Sequence, residues 1–197
     1  MHTYPPGGRR TFAERERVTR RATFVAVASA LVGGTVASCS VARHIGSTVT
    51  GPKRHVTAES DSMNPTIVKG QVITMDNVAS GTYKPHRQDI VLVYPTSEYR
   101  TLQPNELILR RVIGIPGDTV SCDGGGSPLM LNGTALSEPY LHRGDNPSSM
   151  AFDVKVPSGS LWLLGDHRQV TIDARYFVSE PHQGMIPIAN VVGVYRP

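Results

Sequence analysis

The sequence predicts a mostly β fold, an antiparallel sheet or barrel, that follows one N-terminal transmembrane helix. The 19 Gly and 15 Pro among 197 residues favour short strands joined by turns over long helices. After residue 45 no long stretch shows helical periodicity, whereas short Val- and Ile-rich runs alternate with turn residues. The transmembrane helix is predicted by residues 22–42, which carry no charge and have the length that crosses a bilayer core.

Seven short runs have the composition of strands. They are residues 71–75, 89–94, 106–115, 129–131, 152–156, 161–164 and 191–195. Turn markers such as Asn132-Gly133 and Gly165-Asp166 lie between them, which favours an antiparallel arrangement. Residues 122–150 are rich in Gly, Ser and Pro and are predicted to form an insert or exposed loops.

The net charge of +4 is carried by the N-terminal tail. Six of the 20 basic residues and two of the 16 acidic residues precede residue 22, which leaves 14 of each in the remainder. A nucleic-acid-binding protein is expected to carry a basic patch on its folded body, so DNA and RNA are not expected partners. A basic tail beside an uncharged span instead indicates contact with anionic membrane lipid and keeps the N-terminus in the cytoplasm.

The predicted organisation has four parts. They are a basic cytoplasmic tail (1–21), a transmembrane signal-anchor (22–42), a linker (43–57) and an extracytoplasmic domain (58–197) with an insert at about 122–150. Two other interpretations of the span stay open. It is also typical of a lipoprotein signal ending at a lipidated Cys39, or of a buried helix of a soluble domain. The second cysteine, Cys122, is predicted to be a free thiol, and no CxxC motif or Cys/His cluster indicates a metal.

The first segment that is suited to chemistry is the serine box, residues 60–66 (SDSMNPT). A serine nucleophile needs a rigid, exposed seat and a nearby base, and Pro65 restricts the backbone just after Ser62. The hydroxyl of Ser60, two residues earlier, is placed to help stabilise an oxyanion. Taken alone, however, the serine box is also typical of a polar turn.

Two further segments carry charged side chains. In the arginine box, residues 109–118 (LRRVIGIPGD), Arg110 and Arg111 occupy successive strand positions, which face opposite sides of a sheet. In the Gly-Asp box, residues 165–175 (GDHRQVTIDAR), Asp and Arg side chains are able to fix a site through ion pairs. Each of these boxes alone is equally typical of solvated surface charges.

In this order, the three boxes resemble the signal peptidase I family of Ser/Lys-dyad endopeptidases. That family carries Ser-x-Ser-Met-x-Pro-Thr, then a strand with Lys-Arg-x-x-Gly-x-Pro-Gly-Asp, then Gly-Asp-Asn-Arg continued by Ser-x-Asp-Ser-Arg. The matching positions here are 60–66, 110–118 and 165–175. Residues 89–93 and 132–141 are similar to an intervening strand and an inserted segment of that family, and a basic tail with an anchor is typical of it.

The resemblance implies a mostly β catalytic core of signal peptidase type against the outer membrane face, which cleaves signal peptides from exported preproteins after small residues. It implies Ser62 as the nucleophile, with its own amide and the Ser60 hydroxyl facing the oxyanion. Thr171 stands where the family has a serine that orients the base. The side chains implied to brace the site are Arg111, Asp173 and Arg175. The resemblance implies no metal and no organic cofactor.

One position departs from the family pattern, because Arg110 stands where the family has its lysine base. A desolvated lysine can lose its proton and then accept that of serine, whereas a guanidinium has a pKa above about 12 and no acceptor. His167 lies in the Gly-Asp box and is an alternative base. Lys69 and Lys84 lie outside the boxes and are expected to be solvated surface charges.

The sequence therefore predicts a membrane-bound serine endopeptidase of the signal peptidase I type, acting on the signal peptides of exported preproteins. The alternative is a catalytically silent relative that binds exported peptides or a partner at the membrane. A tethered β domain with a purely structural role is the third hypothesis, and it leaves the preserved serine box without a purpose.

Overall fold

The computed structural model describes residues 52–100, 102 and 106–196, and in this part of the chain it is mostly β. The strands are β1 (Lys53–Thr57), β2 (Val72–Asn77), β3 (Ile90–Val93), β4 (Ile108–Gly114), β5 (Thr119–Asp123), β6 (Met130–Leu131), β7 (Thr134–Ala135), β8 (Ala151–Lys155), β9 (Ser160–Leu164), β10 (Ile186–Pro187) and β11 (Val191–Tyr195). Two short 3-10 helices, Ala174–Phe177 and Ile188–Asn190, accompany them. The predicted antiparallel β architecture is confirmed.

Seven strands form the larger sheet in the order β1-β2-β11-β3-β4-β9-β10, and all the pairs are antiparallel. Its central strands β3 and β4 are buried along their whole lengths, because apolar clusters cover both faces of the sheet. Val91 and Val93 pack into one cluster, and Ile90 and Leu92 pack into another with Met63 of the serine box. The alternation of side chains along β3 thus anchors the serine box against one face of the sheet.

Four strands form a smaller sheet in the order β7-β6-β5-β8. The turn Ile115-Pro116-Gly117-Asp118 leads into it from β4, and β5 and β8 bury alternate side chains against Trp162 of β9. The predicted insert, residues 122–150, lies between the end of β5 and the start of β8 and contributes β6 and β7.

The predicted linker needs a correction at its C-terminal end. The sequence places residues 53–57 in the linker 43–57, but they form β1, which pairs with β2 from Lys53↔Asp76 to Thr57↔Val72. The composition of this strand does not reveal it, because its alternate residues are exposed and polar, as expected at a sheet edge.

The predicted tail (1–21) and span (22–42) lie outside the described residues. Within residues 52–100, 102 and 106–196, none of the helices has the length and apolar character needed to cross a membrane.

Candidate active site

A groove of about 1080 Å³ lies along one side of the domain. Its walls are formed by residues 54–63, by residues 106–110 and by residues 167 and 170–172, so all three boxes contribute to it. This volume is slightly above the range of about 300–1,000 Å³ found for small-ligand sites, which suits a substrate larger than a single small molecule.

Ser62 is held in the groove wall by its neighbours in the serine box. Met63 and Ile67 are almost completely buried, and the Ile67 amide donates to the Met63 carbonyl at 2.8 Å. The backbone carbonyl of Ser62 accepts hydrogen bonds from the His167 amide at 3.1 Å and from the Thr171 hydroxyl at 3.1 Å. The serine therefore has a seat fixed on both sides, as a nucleophile requires.

The side chain of Arg110 faces Ser62 directly. Arg110 Nη1 donates to Ser62 Oγ at 3.1 Å and to the Leu109 carbonyl at 2.7 Å, and Nη2 donates to the Ile172 carbonyl at 2.9 Å. Ser60 Oγ contacts Ser62 Oγ at 3.1 Å. The peptidase interpretation requires residues 62 and 110 to share one cleft, and the structure places their side chains in contact.

Arg110 is a buried cation, with 7% of its surface exposed. Burial lowers the pKa of its guanidinium, because desolvation disfavours the charge, while the Asp173 carboxylate acts in the opposite direction. An arginine has five N–H donors and no acceptor, so it is able to stabilise negative charge on Ser62 Oγ but unable to take its proton.

The side chain of Arg111 lies on the other side of β4 from that of Arg110, and it contacts residues of the other two boxes. Its Nε and Nη2 donate to the two carboxylate oxygens of Asp166 at 2.7 and 2.6 Å, and Nη2 also reaches the Thr66 hydroxyl at 3.1 Å. Both partners of this bidentate pair are buried, and the guanidinium lies 4.0 Å from the centroid of the Tyr140 ring. Such fork-to-fork pairing fixes orientation as well as distance.

Asp173 and Arg175 form a second buried pair within the Gly-Asp box. Asp173 Oδ1 accepts from Arg175 Nε at 2.8 Å, and Oδ2 accepts from the Gly165 amide at 3.1 Å. Arg175 Nη2 in turn donates to the Arg168 carbonyl at 2.8 Å. These bonds close residues 165–175 into a compact loop whose Thr171 and His167 contact the serine.

Gly165 is the point of closest approach in this loop. A Cβ atom at this position would lie 2.3 Å from Thr171 Oγ1 and 2.7 Å from the Ser62 carbonyl oxygen. Only a residue without a side chain allows the loop to pack so near to Ser62.

The structure brings together every predicted site residue, but it gives two of them partners that the sequence did not indicate. The Thr171 hydroxyl lies 3.1 Å from the Ser62 carbonyl and 2.7 Å from the His167 carbonyl, so its described hydrogen bonds are to the backbone and not to Arg110. The ring of His167 stacks on His142 at 3.8 Å between centroids, and its amide, not its ring, binds Ser62.

Asp166 of the Gly-Asp box forms the expected kind of ion pair, with Arg111. Two other residues contribute to the site without having been singled out by the sequence. Glu138, which pairs with buried Arg168, and Tyr140, which covers Arg111, lie in the predicted insert. No local pattern could identify these two, because their contacts are made across the fold.

The chain is similar to known peptidases over most of its length. The family model described as signal peptidase, peptidase S26, matches residues 29–196. A signal peptidase I of Leptolyngbya laminosa is 32% identical over 136 residues, which cover 68% of this chain and 62% of the relative. Signal peptidase I V of Bacillus subtilis is 30% identical over 148 residues, which cover 69% of this chain and 79% of the relative. A probable signal peptidase I of Mycobacterium leprae is 27% identical, and the match covers 70% of this chain and 65% of the relative.

Among solved structures, a signal peptidase I from Enterococcus faecalis is 28% identical and matches with a TM-score of 0.43, covering 58% of this chain and 98% of that one. The family model and the sequence matches define a class of protein, the signal peptidases. The chain belongs to the signal peptidase family, peptidase S26. It spans 62% and 65% of the length of two of these relatives.

Proposed function

We propose that the chain is a membrane-bound serine endopeptidase of the signal peptidase I type, which cleaves signal peptides from exported preproteins. The observation that carries this proposal is the contact of Ser62 Oγ with the side chain at position 110, inside a groove formed by the three boxes. In this mechanism Ser62 Oγ attacks the scissile carbonyl and gives its proton to solvent, because Arg110 has no lone pair for it; the peptide C–N bond then breaks, and the amine leaves with a proton from solvent. The Ser62 amide and the Ser60 hydroxyl stabilise the oxyanion.

The proposed location follows from the N-terminal sequence. Residues 22–42 cross the membrane, the basic residues of 1–21 stay beside anionic lipid in the cytoplasm, and the domain that begins at residue 58 lies outside. The groove then meets signal peptides as exported proteins emerge. Nucleic acid has no part in this function.

One specific observation favours a second candidate, a catalytically silent relative that binds exported peptides. The group that hydrogen-bonds Ser62 Oγ from position 110 is a guanidinium, which donates at 3.1 Å and has no lone pair for the serine proton. A groove with this cation beside two hydroxyls still binds a peptide, and it favours a carboxylate or a carbonyl oxygen near Ser62.

The two candidates are separated by cleavage and binding assays on the full chain in detergent. A preprotein with a small residue before the cleavage point is incubated with the wild type, Ser62→Ala and Arg110→Lys. Arg100→Lys is the matched control, because Arg100 is an exposed arginine that pairs with Glu180. If the chain is an active peptidase, the wild type is expected to cleave the preprotein and Ser62→Ala is expected not to. The cleavage rate of Arg100→Lys is expected to equal that of wild type.

A silent relative gives a different set of results. Wild type then shows no cleavage but binds the signal peptide, and only Arg110→Lys cleaves. If no variant cleaves and none binds the peptide, both candidates are refuted, and the tethered structural domain remains.

A further inference from the structure

Two histidines and an aspartate meet beside the active-site groove. His142, Asp145 and His167 each offer one ligand atom, and these atoms all lie within 4.8 Å of one another. His167 belongs to the groove wall, whereas the other two lie in the loop before β8. More than 20 residues separate Asp145 from His167, so the chain shows no metal-binding motif and only the fold assembles the group.

The polar atoms of this group lack the partners that buried atoms normally have. The Nδ1 atoms of His142 and His167 are both buried and make no hydrogen bond among the described residues. The rings stack at 3.8 Å between centroids with an angle of 17°, so their nitrogen lone pairs lie in nearly parallel planes, and one ring must turn out of the stack for both nitrogens to bind one ion. His142 Nδ1 is 3.5 Å from Asp145 Oδ1, which permits charge attraction without a hydrogen bond. Burying two ring nitrogens without hydrogen-bond partners costs free energy of folding, unless another atom binds them.

The carboxylate is held in a way that suits a ligand. The side chain of Asp145 is 2% exposed, and its Oδ2 accepts from the Gln169 amide at 3.1 Å, which leaves Oδ1 turned towards His142. Backbone bonds fix the loop, because the His142 amide donates to the Asp166 carbonyl at 3.1 Å and the Asp145 amide to the His142 carbonyl at 3.0 Å. An outer hydrogen bond of this kind orients a metal-binding carboxylate.

We propose that His142, Asp145 and His167 form a binding site for a divalent transition-metal cation of the zinc type. Two imidazoles and one carboxylate are a ligand set that Zn²⁺ accepts, with the remaining coordination position open to water. Mg²⁺ and Ca²⁺ prefer oxygen ligands, so a site with two imidazole nitrogens discriminates against them.

The bound cation ties the loop at His142–Asp145 to the segment that seats the nucleophile. The His167 amide donates to the Ser62 carbonyl at 3.1 Å, and the His167 carbonyl accepts from the Thr171 hydroxyl at 2.7 Å. Metal binding therefore fixes a residue that contacts Ser62 directly and also holds Thr171, which hydrogen-bonds the same Ser62 carbonyl. The proposal does not require turnover, since it concerns binding and order at His167 whether or not Ser62 reacts.

The test is a Zn²⁺ titration of the full chain in detergent, against a competing chromophoric chelator. Wild type is expected to bind one Zn²⁺ per chain, and His142→Ala and Asp145→Asn to bind it at least about 10-fold more weakly. His182→Gln is the matched control, because His182 also lies beside a carboxylate, 3.0 Å from Glu98, and is outside the group. Its affinity for Zn²⁺ is expected to equal that of wild type.

Two further readouts keep the result interpretable. Urea unfolding without metal shows whether each variant folds, and Co²⁺ in place of Zn²⁺ gives a visible absorption band that reports nitrogen and oxygen ligands. Mg²⁺ is expected not to compete. The proposal is overturned if wild type binds Zn²⁺ no more tightly than folded His142→Ala and Asp145→Asn, or if His182→Gln loses as much affinity as they do.

Discussion

Arg110→Lys is the substitution whose outcome the structure predicts most directly. Arg110 is buried and contacts Ser62 Oγ at 3.1 Å, and a lysine placed there approaches the same oxygen. A lysine that becomes neutral offers a lone pair for the serine proton, which the guanidinium never does. We therefore expect the variant to gain general-base catalysis.

The magnitude follows from the energy needed to remove the charge. At pH 8 the neutral form of a lysine, whose pKa starts near 10.4, costs about 3 kcal/mol, and the neutral form of an arginine costs about 3 kcal/mol more, because its pKa starts about two units higher. Full burial is able to lower the pKa of a lysine by about 3–5 units. Burial of this magnitude therefore suffices for a lysine, whereas a guanidinium stays protonated in proteins. A positioned base contributes about 10²–10⁴-fold in rate.

The assay is the initial rate of preprotein cleavage between pH 6 and pH 10 for wild type, Arg110→Lys and the double variant Arg110→Lys/Ser62→Ala. The rate of Arg110→Lys is expected to rise with pH as lysine loses its proton, and then to level off. Arg100→Lys controls for the general effect of the exchange at an exposed site. The reasoning is refuted if folded Arg110→Lys is no faster than wild type at any pH, or if the double variant cleaves equally well.

Three further predictions concern stability, measured by urea unfolding. Asp166→Asn removes one partner of the buried pair with Arg111 and is expected to cost about 3–5 kcal/mol; a cost below about 1 kcal/mol would contradict the assigned role. Gly165→Ala places a Cβ 2.3 Å from Thr171 Oγ1, and this overpacking is expected to lower the free energy of unfolding by about 1–3 kcal/mol. An unchanged midpoint of urea unfolding would contradict the close approach of this loop to Ser62. Burial alone would raise the pKa of Asp118, but hydrogen bonds from neighbouring arginine, backbone and asparagine donors lower it from 3.8 to about 2. The ionised Asp118 carboxylate stabilises the folded state fully above about pH 4, and this contribution is lost as the pH falls through about 2. Asp118→Asn is therefore expected to lower the free energy of unfolding by about 2 kcal/mol at pH 6 and by little at pH 2. Equal losses at the two pH values would be inconsistent with this pKa.

The central strands of the sheet were predictable because their composition reflects their burial. Residues 191–195 were predicted as a strand and form β11 with these bounds, and β3 and β4 lie within the predicted runs 89–94 and 106–115. Strands buried on both faces read as continuous Val and Ile runs. Strand β1 was missed because it lies at the sheet edge, where exposed Lys and His replace the apolar run of a buried strand.

Some contacts of the candidate site were also predictable from the sequence, and others were not. The ordered boxes made the meeting of Ser62 and Arg110 predictable, since a strand position and a turn position were each fixed by their motifs. The partners of Thr171 were not predictable, because a hydroxyl binds whichever carbonyl the closed loop presents, here those of Ser62 and His167. The proximity of His142 to His167 depends on how the two sheets are connected, which no local pattern records.

The ion pairs that hold the site together do not depend on the residue at position 110. Arg111–Asp166 and Asp173–Arg175 are buried pairs that hold the boxes together whatever occupies position 110. Arg110 adds bonds of its own, to the Leu109 and Ile172 carbonyls, while its guanidinium offers Ser62 no lone pair. A lysine at this position has fewer donors, but neither ion pair includes residue 110. This is why Arg110→Lys is expected to change the chemistry of the groove and to leave its fold in place.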